Sequence, residues 1–535
     1  MSNDQRAFFA LEQGTATRSA SIVGWAAGRW RLLGTLAMPV SADPEAMIDL
    51  LLARFGAASP DLADHLGADA RASDRWARLS VRTQRPGRIA VLAATERAVA
   101  PLAAIAEAAG WRAEPMALDV DDPLAITRVL LQPDVVAVLA GAGEPPAADE
   151  RGSLNDLGAI VAAAATRRRE LTVVLAGPMS EQVPRFDATG DGRGDVVLAS
   201  SATTGDPGGE PLRVVLEGMG ATEDDGRRAF ERAVATLAEV MDRRIEALDV
   251  GWAAGTRVVA EPAVAGEASA SRRRTIADAC FVPAAPDDSL IDRVLEWSTQ
   301  PLDRHRLRDR LYELALAPWA DTAGEGAILR LAVGRAALAA LLEATTDLPA
   351  ASEPDLVVVS GGVWSVAPGP AVALAVSDVL RRPGSRQLAH DHARLLAPLG
   401  AIEDETERRR VLLDVSRDIL VPLGAVVMPQ GLRPGRTAGQ LVVHGASGAI
   451  ELDLVPGSLE LIDLPPGETA VAELRFRETV RLGARGRRFA VELAGGLGGL
   501  LIDLRDIPLR LPERAERRRE LLGAWQEALW AGVGS

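Results

Sequence analysis

Phe-Ala-Leu-Glu-Gln-Gly-Thr-Ala-Thr, at residues 9–17, is the part of the sequence from which the fold can first be predicted. A short apolar run leads into the carboxylate of Glu12, which is followed by Gly14 and by the hydroxyl residues Thr15 and Thr17. A second apolar run comes directly afterwards, so the pattern predicts a β-hairpin. In such a turn, glycine lets backbone N–H groups approach a phosphate, the hydroxyls donate to it, and the carboxylate holds Mg²⁺ through water. An ordinary meander with a polar turn would also fit these residues.

Two later stretches favour the phosphate-binding interpretation. The first reads Ile-Glu-Ala-Leu-Asp-Val-Gly and is again a strand that ends in a carboxylate and a glycine, Asp249 and Gly251. The second reads Asp-Leu-Val-Val-Val-Ser-Gly-Gly and ends in Gly361 and Gly362, where bare backbone lets a flat base and a ribose lie close. A triphosphate needs N–H donors and a metal, and two facing carboxylates position that metal and a water.

The order of these three stretches is typical of the actin/Hsp70/sugar-kinase ATPase fold, in which two similar lobes clamp Mg·ATP between two hairpins. We therefore expect an α/β protein with a two-lobed, ribonuclease H-like ATPase fold. The predicted catalytic residues and metal ligands are Glu12 and Asp249, the predicted phosphate-binding residues are Gly14, Thr15, Thr17 and Gly251, and the predicted adenosine-binding residues are Gly361 and Gly362.

Changes in the spacing of apolar residues along the rest of the chain indicate its division into domains. Continuous apolar strands alternate with helices between the two hairpins, which indicates a parallel sheet covered on both faces. Short alternating strands with Gly and Pro turns predict a small all-β domain near the C-terminus. The predicted domains are a first lobe at 1–86, an inserted parallel α/β unit at 87–222, a second lobe at 223–422, a β-domain at 423–510 and a C-terminal helix at 511–535.

Three weaker patterns leave alternatives open. The Gly- and Ala-rich strand ends of the inserted unit, such as 140–143, suit either a ligand or tight turns. Residues 187–195 match the front of a calcium loop, but position 12 of that loop is Leu198, so a solvated turn also fits. His390-Asp391-His392 is interpreted as a polar surface cap because no third metal ligand is evident.

Composition limits the classes of function. The chain has 535 residues and a net charge of −15, which disfavours nucleic acid or an anionic membrane as a general partner. The single cysteine, Cys280, predicts a reducing, cytoplasmic location. No apolar run approaches the length of about 20 residues that a membrane span needs.

The chain resembles the glutamate mutase MutL-type family, the ATPase-fold partners of adenosylcobalamin-dependent mutases. The resemblance covers both hairpins, the inserted unit and the strand that ends in Gly-Gly. It is most specific at 421–427, Val-Pro-Leu-Gly-Ala-Val-Val, and at 457–467, Gly-Ser-Leu-Glu-Leu-Ile-Asp-Leu-Pro-Pro-Gly. It implies ATP and Mg²⁺ as cofactors, a B12-dependent mutase as protein partner, and a chaperone-like or reactivating role.

The chain departs from the family pattern where chemistry is expected. Glu12 stands where the family has Asp, and Trp252 stands where it has a second glycine. Ala254-Gly255-Thr256 replaces Thr-Thr-Asp, and the inserted unit has Gly141-Ala142-Gly143 where the family has a Gly-Gly-Thr motif. An indole beside the phosphates would crowd a nucleotide, so we expect a retained fold with weak or absent hydrolysis.

Three functions are compatible with these features. The first is an ATPase-fold accessory protein of an adenosylcobalamin-dependent mutase. The second is a non-catalytic scaffold or partner-binding relative of the same fold. The third is a small-molecule kinase, which would need a catalytic base in the cleft that the sequence does not identify.

Overall fold

The chain forms two compact units in the computed structural model. The first comprises Met1–Gln84, Asp224–Arg273 and Asp278–Ser535, and the second comprises Arg85–Glu223 and Arg274–Ala277. The structure describes residues 7–69, 71–83, 85–142, 150–187, 195–200, 209–220, 225–264, 270–281, 286–319, 324–346, 348, 354–446 and 448–530. The five-part domain division given above stays a prediction.

The first lobe is a four-stranded sheet with helices. Its strands are β1 (Ala7–Gln13), β2 (Thr17–Ala26), β3 (Arg29–Pro39) and β4 (Ala77–Arg82), and its helices are α1 (Pro44–Ala58), α2 (Pro60–Leu66) and α3 (Ala72–Arg75). The strand order is β3-β2-β1-β4. Strands β1, β2 and β3 pair antiparallel as consecutive hairpins, whereas β4 lies parallel to β1.

The inserted unit is a five-stranded parallel sheet, as the sequence predicts. Its strand order is β6-β5-β7-β8-β9, and every pair is parallel. Its strands are β5 (Arg88–Ala93), β6 (Arg112–Ala117), β7 (Val135–Gly141), β8 (Thr172–Ala176) and β9 (Val196–Ala199). Its helices are α4 (Glu96–Ala108), α5 (Pro123–Leu130), α6 (Glu150–Arg167), α7 (Val183–Asp187) and α8 (Glu210–Gly220), with a 3-10 turn at Gly177–Gln182.

The second lobe repeats the strand order of the first. Its strands are β10 (Ile245–Val250), β11 (Gly255–Glu261), β12 (Ala270–Ile276), β13 (Leu356–Ser360) and β14 (Gly384–Asp391). They are arranged as β12-β11-β10-β13-β14, with β10 antiparallel to β11 and parallel to β13. Its helices are α9 (Gly226–Met241), α10 (Asp288–Trp297), α11 (Arg304–Leu316), α12 (Gly324–Ala344), α13 (Gly369–Val379), α14 (Leu396–Gly400) and α15 (Glu405–Ile419), with a 3-10 turn at Trp364–Val366.

The C-terminal strands contribute to two sheets. They are β15 (Leu420–Met428), β16 (Gly439–Gly445), β17 (Gly448–Leu454), β18 (Leu459–Ile462), β19 (Thr469–Leu482), β20 (Ala484–Ala494) and β21 (Leu500–Asp503), and α16 (Ala515–Trp530) follows them. Four of these strands form an antiparallel sheet in the order β17-β16-β19-β20, which agrees with the predicted all-β character of this region. The others extend the sheet of the second lobe in the order β14-β15-β21-β18.

The two lobes share one hydrophobic core. Side chains of β1 and β4 pack with those of α9, α14 and α15, and the members include Phe8, Val81, Ala233, Leu399 and Val415. The repeated strand order and this shared core confirm the predicted two-lobed ATPase fold with an inserted α/β unit. Among the described residues, no helix has the length and apolar character that a membrane crossing requires.

Candidate functional site

The first hairpin closes tightly after the apolar strand β1. The N–H of Gly14 donates to the carbonyl oxygen of Thr17 at 2.9 Å. A Cβ atom on Gly14 would lie 3.1 Å from that same oxygen, so a larger residue would press on the turn. Glu12, two positions before Gly14 in the sequence, pairs with Ser19 across the hairpin. The pattern of strand, carboxylate, glycine and hydroxyl is therefore held by local backbone geometry.

The second hairpin has the same construction. The N–H of Gly251 donates to the carbonyl oxygen of Ala254 at 3.0 Å, and a Cβ atom on Gly251 would lie 2.8 Å from that oxygen. Asp249 pairs with the hydroxyl residue Thr256, as Glu12 pairs with Ser19. The two hairpins are thus structural copies, one in each lobe.

The two glycines at the end of β13 have different roles in the structure. Strand β13 lies beside β10, with Ser360 paired to Asp249. Gly361 has a φ of 104°, and a Cβ atom there would lie 2.3 Å from the carbonyl oxygen of Val250. Only glycine fits this close approach. Gly362 faces open space, because a Cβ atom there would meet no atom within 4 Å.

One cavity of about 340 Å³ brings all the predicted site residues together. This volume lies within the range of small-molecule sites, roughly 300–1,000 Å³. Its lining includes all eight of the predicted site residues: Glu12, Gly14, Thr15, Thr17, Asp249, Gly251, Gly361 and Gly362. They come from both lobes and from three separate segments of chain, but the role predicted for each of them stays a proposal.

The carboxyl groups of Glu12 and Asp249, one from each hairpin, both have a raised pKa because both are buried. The pKa of Asp249 is raised from 3.8 to about 7, mainly by burial and also by the charges of Glu12 and Asp391, against the lowering effect of Arg394. Burial also raises the pKa of Glu12, against the effects of Arg394 and of the hydroxyls of Ser19 and Thr83. The Oε2 atom of Glu12 is buried and accepts no hydrogen bond from a described residue.

Asp391 is a site residue that the sequence analysis missed. The interpretation of 390–392 as a surface cap is wrong, because His390 is 7% exposed and Asp391 is 1% exposed. Asp391 ends β14, which lies parallel to β13, and it borders a small void of about 10 Å³ together with Glu12 and Asp249. Burial raises its pKa to about 6. A carboxylate at the end of a third parallel strand was the available sequence signal.

Asp391 also holds the turn that leads into α14. Its Oδ1 atom accepts the N–H of Leu395 at 3.0 Å, and its Oδ2 atom accepts the N–H of Leu396 at 3.2 Å. The hydroxyl of Ser360 donates to the same carboxylate at 3.3 Å. The side chain therefore fixes the start of α14 beside the cavity.

Arg394 is a second residue that the sequence did not reveal. It lies in this turn with a φ of 52°, and it lines both the cavity and the small void. Its Nη1 atom donates to Oγ1 of Thr17 at 2.6 Å, and its Nε atom lies 3.7 Å from Oε2 of Glu12. A cation from the second lobe thus lies on the hairpin of the first.

Trp252 lies in the wall of the cavity, one residue after Gly251. Its indole packs edge-on against the ring of Phe281, with 5.4 Å between ring centroids. The N–H of Phe281 donates to the carbonyl oxygen of Gly251 at 2.8 Å, and the guanidinium of Arg330 lies 5.1 Å from the Phe281 ring centroid. These contacts hold the indole against an aromatic end of the cavity.

The residues present fit Mg²⁺ that arrives with a phosphate ligand. No group of three or more His, Cys, Asp or Glu side chains in the described part of the chain is arranged to hold a metal ion. Mg²⁺ is commonly held by one or two carboxylates together with substrate phosphates, so a complete protein cage is not required. A cation would stabilise both carboxylates, since Oε2 of Glu12 accepts no hydrogen bond from a described residue and the pKa of Asp249 is raised.

Two other sequence predictions fall outside this site. Residues 188–194 of the calcium-loop pattern lie outside the described residues, as do residues 143–149 after β7. The calcium loop and a ligand at that strand end therefore stay predictions.

Comparison with known proteins gives no family assignment. No protein-family model matches the chain, and no curated protein matches it. Solved structures that are similar include component A of (R)-2-hydroxyglutaryl-CoA dehydratase from Acidaminococcus fermentans, at 9% identity over 75% of this chain and 99% of that chain, with a TM-score of 0.28. A PilM–PilN type IV pilus biogenesis complex has 13% identity over 76% of this chain and 94% of that chain, with a TM-score of 0.22.

A reductive activator for a corrinoid, iron–sulfur protein is also similar. It has 13% identity over 77% of this chain and 63% of that chain, with a TM-score of 0.21. At these identities and scores the superpositions carry no argument about function, and the fold assignment rests on the strand order of the two lobes.

Proposed function

We propose that this chain is an ATPase-fold accessory protein that binds Mg·ATP between its two lobes and acts on a partner enzyme. One observation carries the nucleotide-binding part of the proposal. Two copies of a carboxylate–glycine hairpin and a Gly-Gly strand end, predicted separately from sequence, line a single cavity of suitable volume. Chance association of three such segments would not produce the same turn twice.

The proposed roles follow from the chemistry of each group. The N–H groups at Gly14 and Gly251 and the hydroxyls of Thr15 and Thr17 would donate to phosphate oxygens. Gly361 and Gly362 would lie against the adenosine. Glu12 and Asp249 would hold Mg²⁺, which neutralises phosphate charge when it is bound. Asp391 would keep the turn before α14 in position and need not contact the ligand.

We also propose that hydrolysis is weak or absent. Trp252 takes space next to Gly251, where the second hairpin would approach a phosphate. Asp249, with a pKa of about 7, is only partly ionised at neutral pH before a cation arrives. Both features reduce the positioning of an attacking water, on which phosphoryl transfer depends.

Calorimetric titration of the full chain with Mg·ATP tests this proposal. We expect a dissociation constant in the micromolar range, and we expect Asp249→Asn to weaken binding by about tenfold or more because it removes a metal ligand. Asp453→Asn, the same chemical change at an exposed position of β17, is the matched control and should bind as the wild type does. Absence of heat with the wild-type protein would contradict the proposal.

For the partner, we propose an adenosylcobalamin-dependent mutase. The support is the resemblance to the glutamate mutase MutL-type family, which is most specific at 421–427 and 457–467. The test is the activity of a glutamate mutase inactivated with hydroxocobalamin and then supplied with adenosylcobalamin and Mg·ATP. We expect faster recovery of activity with this protein than with the Asp249→Asn variant. Equal recovery with wild type, variant and buffer would leave the ATP-binding proposal standing but would reject this partner.

A further inference from the structure

Arg394 lies where a ligand phosphate would meet the first hairpin. Its side chain is 15% exposed, and it lines the cavity together with the predicted phosphate-binding residues. It reaches across from the turn before α14 to donate to Oγ1 of Thr17 at 2.6 Å. The guanidinium is therefore hydrogen-bonded to a hydroxyl group that is itself proposed to bind a phosphate.

The contacts of this guanidinium leave most of its donors available. An arginine side chain has five N–H donors in a planar fork, and only one hydrogen bond from that fork to a described residue, Thr17, is formed. Its approach to Glu12, at 3.7 Å from Nε to Oε2, is an ion pair without a hydrogen bond. A phosphate accepts two parallel N–H groups from such a fork and forms stronger, charge-assisted bonds.

The charge balance of the site requires a cation for an anionic ligand. Glu12, Asp249 and Asp391 place up to three negative charges near the hairpins. Arg330 packs over Phe281 at the aromatic end of the cavity, and Arg227 borders the small void. Arg394 also lines the cavity, and it is hydrogen-bonded to a hairpin hydroxyl, that of Thr17.

The backbone of Arg394 is held in place by the hydrogen bonds of its turn. The carboxylate of Asp391 accepts the N–H groups of Leu395 and Leu396, and the carbonyl oxygen of Asp391 accepts the N–H of Arg394 at 3.2 Å. These bonds hold the Cα atom of Arg394 in its left-handed conformation at the edge of the cavity. A long side chain on a fixed base can exchange one oxygen partner for another without rearrangement of the turn.

We propose that Arg394 is the residue by which this cavity recognises phosphate. Without ligand its guanidinium lies against Glu12 and Thr17, and with ligand it donates to a phosphate oxygen and leaves Glu12 to the metal. This inference rests on the proposed nucleotide binding and adds to it a specificity residue supplied by the second lobe.

The test is the affinity of the full chain for ATP, ADP and adenosine, measured by calorimetry with Mg²⁺ and again with EDTA. We expect Arg394→Gln to weaken ATP binding by about tenfold or more and to change adenosine binding by less than about twofold. Arg394→Lys should recover part of the ATP affinity, since it keeps the charge but loses the fork. With EDTA, the wild type should retain more of its ATP affinity than Arg394→Gln does.

The control is Arg436→Gln, which removes an exposed arginine that pairs with Glu478 on the C-terminal sheet. It should leave all three affinities unchanged. Equal losses for ATP and adenosine in Arg394→Gln, with a lowered melting temperature, would show a structural role and overturn the inference. Unchanged ATP binding in Arg394→Gln would overturn it while the nucleotide-binding proposal stands, and absence of binding by the wild type would overturn both.

Discussion

At the scale of single residues, the two glycines that follow β13 differ in whether the structure has room for a side chain. Gly361 has a φ of 104°, and a Cβ atom there would lie 2.3 Å from the carbonyl oxygen of Val250, whereas Gly362 has room for a Cβ atom. We predict that Gly361→Ala lowers the free energy of unfolding by about 1–3 kcal/mol from backbone strain alone. The clash with Val250 adds to this cost. Urea unfolding followed by circular dichroism measures the change.

The control for this prediction lies at the next position. Gly362→Ala adds the same methyl group without a neighbouring atom, so its stability should stay within about 0.5 kcal/mol of the wild type. Equal stability of the two variants would mean that the strand end is not held against β10 as described.

The carboxyl group of Asp249 makes stability depend on pH. Its pKa is about 7 in the folded chain against 3.8 ordinarily, so the folded state binds the extra proton between these values. The wild type should therefore lose stability as pH rises from about 4 to about 7 and then level off. Glu12 and Arg394 also line the cavity, and Asp391 borders the small void together with them. Glu12 and Asp391 titrate together with Asp249.

Replacement of Asp249 by asparagine separates the contribution of its carboxyl group to the pH dependence of stability. Without metal, Asp249→Asn should gain on the order of 2 kcal/mol relative to the wild type between about pH 5 and about pH 8. Urea unfolding at the two pH values, with EDTA present, measures the difference. A stability difference that does not change with pH, or that changes in the opposite direction, would contradict the raised pKa.

Residues that act through local patterns could be predicted, and those that act across the fold could not. Glu12, Gly14, Asp249 and Gly251 follow a strand-and-turn pattern written in a few consecutive positions. The contact of Arg394 with Thr17 joins positions 377 apart in the chain and depends on the docking of α14. No local pattern in the sequence encodes that docking.

At the scale of elements, α14 packs against α9 more closely than side chains allow. A Cβ atom on Gly400 would lie 1.7 Å from the carbonyl oxygen of Ala229, so the two helices meet through backbone. We predict that Gly400→Ala displaces α14 and lowers the melting temperature by several degrees, equivalent to about 2 kcal/mol or more. Because α14 begins at the turn that carries Arg394, ATP affinity should fall as well.

Gly56, within α1, is the matched control for this substitution. A Cβ atom there would meet no atom within 4 Å, and alanine is the better helix former. Gly56→Ala should therefore raise stability by about 0.5–1 kcal/mol. A stable Gly400→Ala variant with normal ATP affinity would contradict the close packing of α14 and α9.

Helices and strands could be predicted from sequence where one hydrophobic period dominates a segment. They could not be predicted where a segment is ordered by pairing with a distant part of the chain. Strand β4, Ala-Arg-Leu-Ser-Val-Arg, carries two charges and few apolar residues, so its sequence alone does not predict a strand. It becomes a strand by pairing with β1. Strands β18 and β21 lie within the span predicted as a separate β-domain, yet they pair within the sheet of the second lobe, since a strand-forming sequence does not specify its partner.

At the scale of the whole molecule, the two lobes are in contact at both ends of strand β2. Near Thr17, at the cavity, Arg394 contacts the first hairpin. At the other end, Arg31 of β3 pairs with Asp418 of α15 at 2.8 Å, and the N–H of Trp30 donates to Asp414 at 3.1 Å. We propose that a ligand that replaces the contact at the cavity would change the separation of the hairpins while the contacts at the other end act as a hinge.

Amide hydrogen exchange of the full chain, with and without Mg·ATP, tests whether three distant segments form one nucleotide site. We expect residues 12–17, 249–254 and 360–363 to gain protection together, at the same ligand concentration, and we expect Asp249→Asn to lose all three effects at once. Protection of one segment alone, or protection confined to other parts of the chain, would contradict it.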